Sequence, residues 1–144
     1  MNENIKLFNG DCLDVMDKLI ADGVKVDAII TDPPYGTTAC KWDSVIPFDE
    51  MWGRLKKLRK DSAPICLFAI EPFASTLRIS NIKEYKHEWV WNKEQAGNFI
   101  QAKNHPLRVT ENILTFGKKV NYFPIMKQAK EENKRPASIK KTKY

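Results

Sequence analysis

The residues with the most specific chemistry are Asp32-Pro33-Pro34-Tyr35. Together they suit one problem, the activation of an exocyclic amine on a nucleobase. Such an amine is a poor nucleophile because its lone pair is delocalised into the ring. Hydrogen bonds accepted from the NH₂ group pull the nitrogen toward a tetrahedral state and localise that lone pair. The Asp32 carboxylate can accept one such bond and the Pro33 backbone carbonyl the other. Neither proline carries an N–H, and both have φ held near −65°, so the loop is stiff and rich in acceptors. That is the preorganisation electrostatic catalysis needs. Tyr35 adds a flat face for a base extruded from its stack, a contact worth roughly 1–3 kcal/mol. The competing reading is a plain strand-ending turn, with Asp32 as a cap and Tyr35 in the core.

The pattern around this loop is one of alternating strands and helices. Ile5–Asn9 reads as a short strand. Asp11 can cap a helix over Cys12–Asp22, whose Leu13, Met16, Leu19 and Ile20 share a face. Val26–Thr31 is a compact apolar run typical of a buried strand, and the two prolines after Asp32 end it. Residues 36–47 read as a loop. Phe48–Arg59 reads as a helix with Met51, Trp52, Leu55 and Leu58 inward. Ile65–Ile70 is a second buried strand, and Pro72 can open a helix running to about Ile82. His87–Trp91 and Asn112–Phe116 read as two further strands, and Trp89 and Trp91, two residues apart on one sheet face, read as core. The order β-α-β-α-β-α-β-β predicts an α/β fold with a mainly parallel sheet covered on both faces. Ligands in such sheets bind beyond the carboxyl ends of strands, where Asp32, Glu71, Lys93 and Asp11 fall.

The composition, 42% hydrophobic and 29% charged over 144 residues, is that of one ordinary globular domain and excludes general disorder. The formal charge of +6 is uneven: residues 127–144 hold seven Lys and Arg against two Glu, so +5 belongs to them. We therefore divide the chain into a catalytic part, 1–126, and a basic tail, 127–144, able to neutralise phosphates or simply to remain solvated. Cys12, Cys40 and Cys66 form no CxxC pair, so neither a disulfide framework nor a metal site is indicated. Together with the lack of a signal-like N-terminus or a membrane-length apolar run, this predicts a cytoplasmic protein.

Several stretches, in order, resemble the DNA amino-methyltransferases of the circularly permuted class, in which the catalytic loop precedes the cofactor-binding glycine motif. They are Asn9-Gly10-Asp11-Cys12, Thr31 to Thr38, Trp42-Asp43, Glu71-Pro72-Phe73, Trp89 to Lys93, Pro106-Leu107-Arg108 and Glu111 to Phe116. The likeness is strongest to the enzymes common in bacteriophages and prophages. It implies a Rossmann-like fold, S-adenosylmethionine as methyl donor, and DNA as partner. The methyl group would pass in line from the sulfonium to adenine N6, since Asp in the first position of the tetrapeptide is usual for that acceptor. The resemblance makes Asp32, Pro33, Pro34 and Tyr35 catalytic and brings Asp11, Cys12 and Asp32 to the cofactor. It places Tyr35, Phe73 and Lys93 near the base or a phosphate. For Asp11 and Cys12 a plain helix cap and a buried thiol remain open, and for Phe73 a core position.

One departure from that family is large. Its members of this class carry a Phe-x-Gly-x-Gly cofactor motif toward the C-terminus. Here the six glycines stand at 10, 23, 36, 53, 97 and 117, and no Gly-x-Gly occurs. The segment forming the first two strands of the family's sheet has no counterpart, so the edge between Ile5–Asn9 and Val26–Thr31 is expected to be unpaired. A smaller departure is Thr110, where relatives often have His. Three readings follow: a catalytic part cut short, one half of a split enzyme whose partner chain carries the glycine motif, or a nucleic-acid-binding remnant that catalyses nothing. Cytosine N4 and RNA stay open as other acceptors. A protein glutamine is disfavoured, because those enzymes begin the tetrapeptide with Asn.

Overall fold

The computed structural model describes residues 5–126 apart from Asn98. The basic tail lies outside the described residues. Seven main elements follow in order: α1 (Cys12–Ala21), β1 (Ile29–Thr31), α2 (Phe48–Leu58), β2 (Ile65–Ala69), α3 (Phe73–Ser80), β3 (Tyr85–Asn92) and β4 (Thr110–Phe116). A short 3₁₀ turn, Phe99–Gln101, lies between the last two strands.

The core is built by alternation in β2. Ile65, Leu67 and Ala69 point to one face and are fully buried. They meet Met51, Trp52 and Leu55 of α2, Phe73, Ala74 and Leu77 of α3, and Leu114 and Phe116 of β4. The apolar stripe expected for α2 is the one observed, since Met51, Trp52, Leu55 and Leu58 are its buried residues. Trp52 fastens the layer twice: its ring meets Phe116 edge-on at 4.8 Å, and its indole N–H donates to Ser80 Oγ at 2.8 Å. The amphipathic α1 contributes no fully buried residue. It is held against α2 by a two-pronged ion pair, in which Arg54 donates from Nε at 2.9 Å and from Nη2 at 2.8 Å to the Asp17 carboxylate.

The sheet has the order β1-β2-β4-β3, and here several expectations are corrected. It is mixed rather than mainly parallel: β1 and β2 are parallel, whereas β2–β4 and β4–β3 are antiparallel. β4 is the next strand after β3, and among the described residues no α-helix lies between them to carry the chain back in the same direction. Ile5–Asn9 forms no strand, because no neighbour takes its backbone groups, and Leu7 is left 91% exposed. The run Val26–Thr31 is a strand only over its last three residues, and Val26 makes a lone bridge to Arg59. Among the described residues no strand pairs with the outer edge of β1, and Ile30 is 70% exposed. The helices α2 and α3 both lie on the Leu67 face. The opposite face carries Cys66, Phe68, Trp89 and Trp91, so the two tryptophans are not core: Trp89 is 54% exposed. Trp91 keeps one edge contact, with Phe68 at 5.8 Å.

Because β4 reverses between them, β1, β2 and β3 all end at the same rim of the sheet. Asp32, Glu71 and Lys93, which follow those strands, are thereby gathered at one end of the molecule with Glu111 from the start of β4.

Candidate functional site

Asp32 leaves β1 exposed, Pro33 is buried beneath it, and Pro34 and Tyr35 are half-buried. The Tyr35 hydroxyl donates to Asp32 Oδ1. Burial, and then this bond to a carboxylate, hold the phenol protonated well above its ordinary range. The Tyr35 ring rests on Phe73 at 5.2 Å, and Phe73 rests in turn on Phe48 at 5.9 Å. The loop is therefore braced from below by three aromatic rings contributed by the loop, α3 and α2.

The chain after Tyr35 is fixed by Asp43, which is only 7% exposed. Its Oδ1 accepts from the Gly36 N–H at 2.9 Å, and its Oδ2 accepts from Thr37 at 2.9 Å and Thr38 at 2.7 Å. The Thr38 hydroxyl and these backbone donors hold the Asp43 carboxyl down at about 2, against the opposing effect of burial. Gly36 has φ +68°, and a Cβ there would stand 3.0 Å from Val45, so this turn both favours glycine and leaves little room for anything larger. Pro33, Pro34, Tyr35, Thr37, Thr38, Trp42 and the two aspartates enclose a cavity of about 290 Å³, near the small end of ligand pockets.

Other predicted site residues fall in two neighbouring places. Lys93 lines an adjoining cavity of about 450 Å³ that shares Thr37 and Thr38 with the first, and its ammonium pairs with the Glu111 carboxylate. Arg108 lines the same cavity and donates to the Glu71 backbone carbonyl at 3.3 Å. Cys12 and Asp32 line a third groove of about 510 Å³ between α1, α2 and β1, with Met16, Leu19, Ile30 and Ile46 among its walls. Among the described residues Asp32 is the one charged residue lining it. Asp11 caps α1, accepting from the Leu13 N–H at 2.8 Å, and stands beside this groove. Phe73 is buried behind Tyr35 and does not line the small cavity, so it supports the Tyr35 ring rather than forming a wall. Glu71, just before α3, accepts from the Ser75 N–H at 3.2 Å and from its hydroxyl at 2.7 Å.

Asp43, Thr37 and Thr38 received no role in the sequence reading. A clue was present: three consecutive N–H groups after a Pro-Pro turn need acceptors, and an Asp next to Trp42 is within loop reach. Among the described residues no group of His, Cys, Asp and Glu is placed to hold a metal, and no helix is long and apolar enough to cross a membrane.

No protein-family model matches the chain, and no curated protein matches it. Solved structures do. The crystal structures of M1.HpyAVI and of the M1.HpyAVI–SAM complex each superpose with a TM-score of 0.62 at 22% identity, over 85% of this chain. The chain spans 61% and 62% of the lengths of those two chains, respectively. Its architecture is thus the Rossmann-like α/β fold of those structures, over about three-fifths of their extent.

Proposed function

We propose that this chain carries the acceptor side of a DNA methyltransferase site that modifies adenine N6. The observation that carries the reading is the exposed Asp32 carboxylate at the rim of β1, with the braced Tyr35 ring beside it over one small cavity. A carboxylate has about four acceptor positions, so the Tyr35 hydroxyl leaves room for an amine on Asp32. Asp32 and the Pro33 carbonyl take the two amine hydrogens, and Tyr35 holds the ring. Adenine N6 rests on Asp in the first position of the tetrapeptide, and DNA on the family resemblance.

The M1.HpyAVI–SAM complex shares the fold, and the groove beside Asp32 fits the same donor. It is apolar along its length and acidic only at Asp32, which suits a flat ligand bearing a cationic sulfonium. Cys12, Asp32 and the apolar Met16 and Ile30 would hold it, with Asp11 adjacent. When bound, S-adenosylmethionine supplies an electrophilic methyl group. The described residues form one side of that site. We propose that the rest is supplied by polypeptide lying along the unpaired edge of β1, carrying a close pair of glycines.

The test is to complement the protein with the glycine-bearing segment proposed to complete the donor site, to incubate it with adenine-containing duplex DNA and S-adenosylmethionine, and to identify the product by mass spectrometry of the nucleosides. N6-methyladenine is expected, with at least about a hundredfold loss on Asp32→Ala. Undiminished turnover in that variant, or methylation at another atom, refutes the reading.

A further inference from the structure

The opposite end of the sheet holds a second groove with no part in the site described above. It has a volume of about 530 Å³ and is lined by Lys86, Lys118 and Lys119 together with the rings of His87, Trp89 and Tyr122. Among the described residues no carboxylate lines it. The acids that flank Lys86 and His87 in sequence are engaged elsewhere, Glu84 with Arg59 at 3.0 Å and Glu88 with Arg78 at 2.7 Å. None of the three lysines has an ion pair among the described residues.

The cations are positioned by the fold. Lys86 sits at the bulge where the β3–β4 register shifts between Tyr85 and His87. Lys118 and Lys119 follow β4 through Gly117, where a Cβ would stand 2.3 Å from Val120, so the chain can fold back this tightly only with glycine there. The turn is tied down where the Gly117 N–H donates to the Glu84 carbonyl at 2.8 Å and the Asn121 N–H to the Ser62 carbonyl at 3.4 Å. Lysines on an edge strand serve as guards against strand pairing. That role gives no reason for Trp89 and Tyr122 to stand open beside them, at 54% and 68% exposure.

Cations that track a backbone, interleaved with exposed flat rings, are the pattern of single-strand nucleic-acid binding. From Lys86 to Lys93 is seven residues of extended chain, roughly 20 Å, so this groove is spatially separate from the Asp32 cavity. We propose that it is a second nucleic-acid contact, taking a single-stranded segment whose phosphates meet the three lysines and whose bases stack on Trp89 and Tyr122. This goes beyond the methyl-transfer reading and stands independently of it.

The test is fluorescence anisotropy of a labelled oligothymidine strand of about eight nucleotides on the full chain, measured across a series of salt concentrations. Changing all three lysines to Ala is expected to weaken binding at least about tenfold and to make the log–log salt slope shallower by about 2. Trp89→Ala is expected to lose about tenfold, while Trp89→Phe stays within about threefold of the parent, because a smaller ring still stacks. The methyl-transfer reading is judged by product formation and its loss at Asp32, and this one by strand affinity and its loss at the three lysines and Trp89, so the two proposals fail separately. Thermal melts confirm that each variant is folded. Unchanged affinity and slope in the triple variant overturn the proposal. So does equal displacement of the strand by polyglutamate with no effect of Trp89→Ala, which would make the groove a general acceptor of acidic chains.

Discussion

Asp43 accepts three consecutive backbone N–H groups, and the consequences of losing one acceptor can be worked out. In Asp43→Asn the side-chain oxygen can still serve Gly36 or Thr38, but the new NH₂ faces donors and repels them. The turn that follows Tyr35 then loosens, while Asp32 itself is untouched. We predict a loss in kcat/KM of about a hundredfold, the size expected when reacting groups shift by about 1 Å, read together with faster amide exchange at Gly36, Thr37 and Thr38. The pH dependence has a definite sign. The carboxyl is held at about 2 against an ordinary 3.8, so the stabilisation is complete above the ordinary value and disappears as pH falls toward 2. Protection of those three amides should therefore persist at pH 4 and collapse near pH 2. Tyr35 behaves in the opposite sense. Its phenol is raised above the ordinary 10, so its contribution is complete below that pH and is lost only above it. Absorbance at 295 nm should show that Tyr35 stays protonated above pH 10, and that its midpoint falls in Asp32→Ala without reaching the ordinary value, because burial remains.

Between α2 and β3, Arg59 and Glu84 form an ion pair with side chains only 4% and 9% exposed. Arg59 also reaches the Ala63 carbonyl at 3.4 Å, and the Glu84 backbone receives the Gly117 N–H. Removing one partner strands a charge in the interior. Glu84→Ala should therefore cost about 3–5 kcal/mol in denaturant unfolding, whereas replacing both partners with apolar residues should cost much less. This pair also shows where the sequence stopped being informative. The stripe of α2 was legible because its four apolar positions satisfy only a helical period. The strand character of β2 was legible because a short, compact apolar run bounded by Pro64 and Pro72 has few other uses. The partner of Arg59 lies 25 residues away and has no local signature. The tryptophans of β3 were misread for a related reason: alternation says that two residues share a face, not whether a helix covers it. Ile5–Asn9 has strand composition and lacks a strand to pair with, which is a property of its neighbours. Within the site, the Asp32–Tyr35 loop was legible by its own chemistry, while Asp43 became visible only once the turn after Gly36 was built.

At the scale of the molecule, the described residues enclose one of the two proposed sites and bound the other on one side. The cavity proposed for the acceptor is enclosed by its own loop, the groove proposed for the donor is bounded by α1, α2 and β1, and among the described residues no strand pairs with the outer edge of β1. Among the described residues that line it, Asp32 alone is charged, so the groove can face a sulfonium but sets no charged side chain against the amino and carboxylate ends of the same ligand. Charged groups left without partners on binding gain little over water. We predict that this chain by itself binds S-adenosylmethionine with a Kd above about 1 mM, corresponding to less than about 4 kcal/mol. Isothermal titration calorimetry checks this directly. Asp32→Ala should weaken even that residual binding, since it removes the only charge in the groove. A micromolar Kd would show that the groove between α1 and β1 is not the donor site and that the cofactor sits against residues other than Cys12 and Asp32.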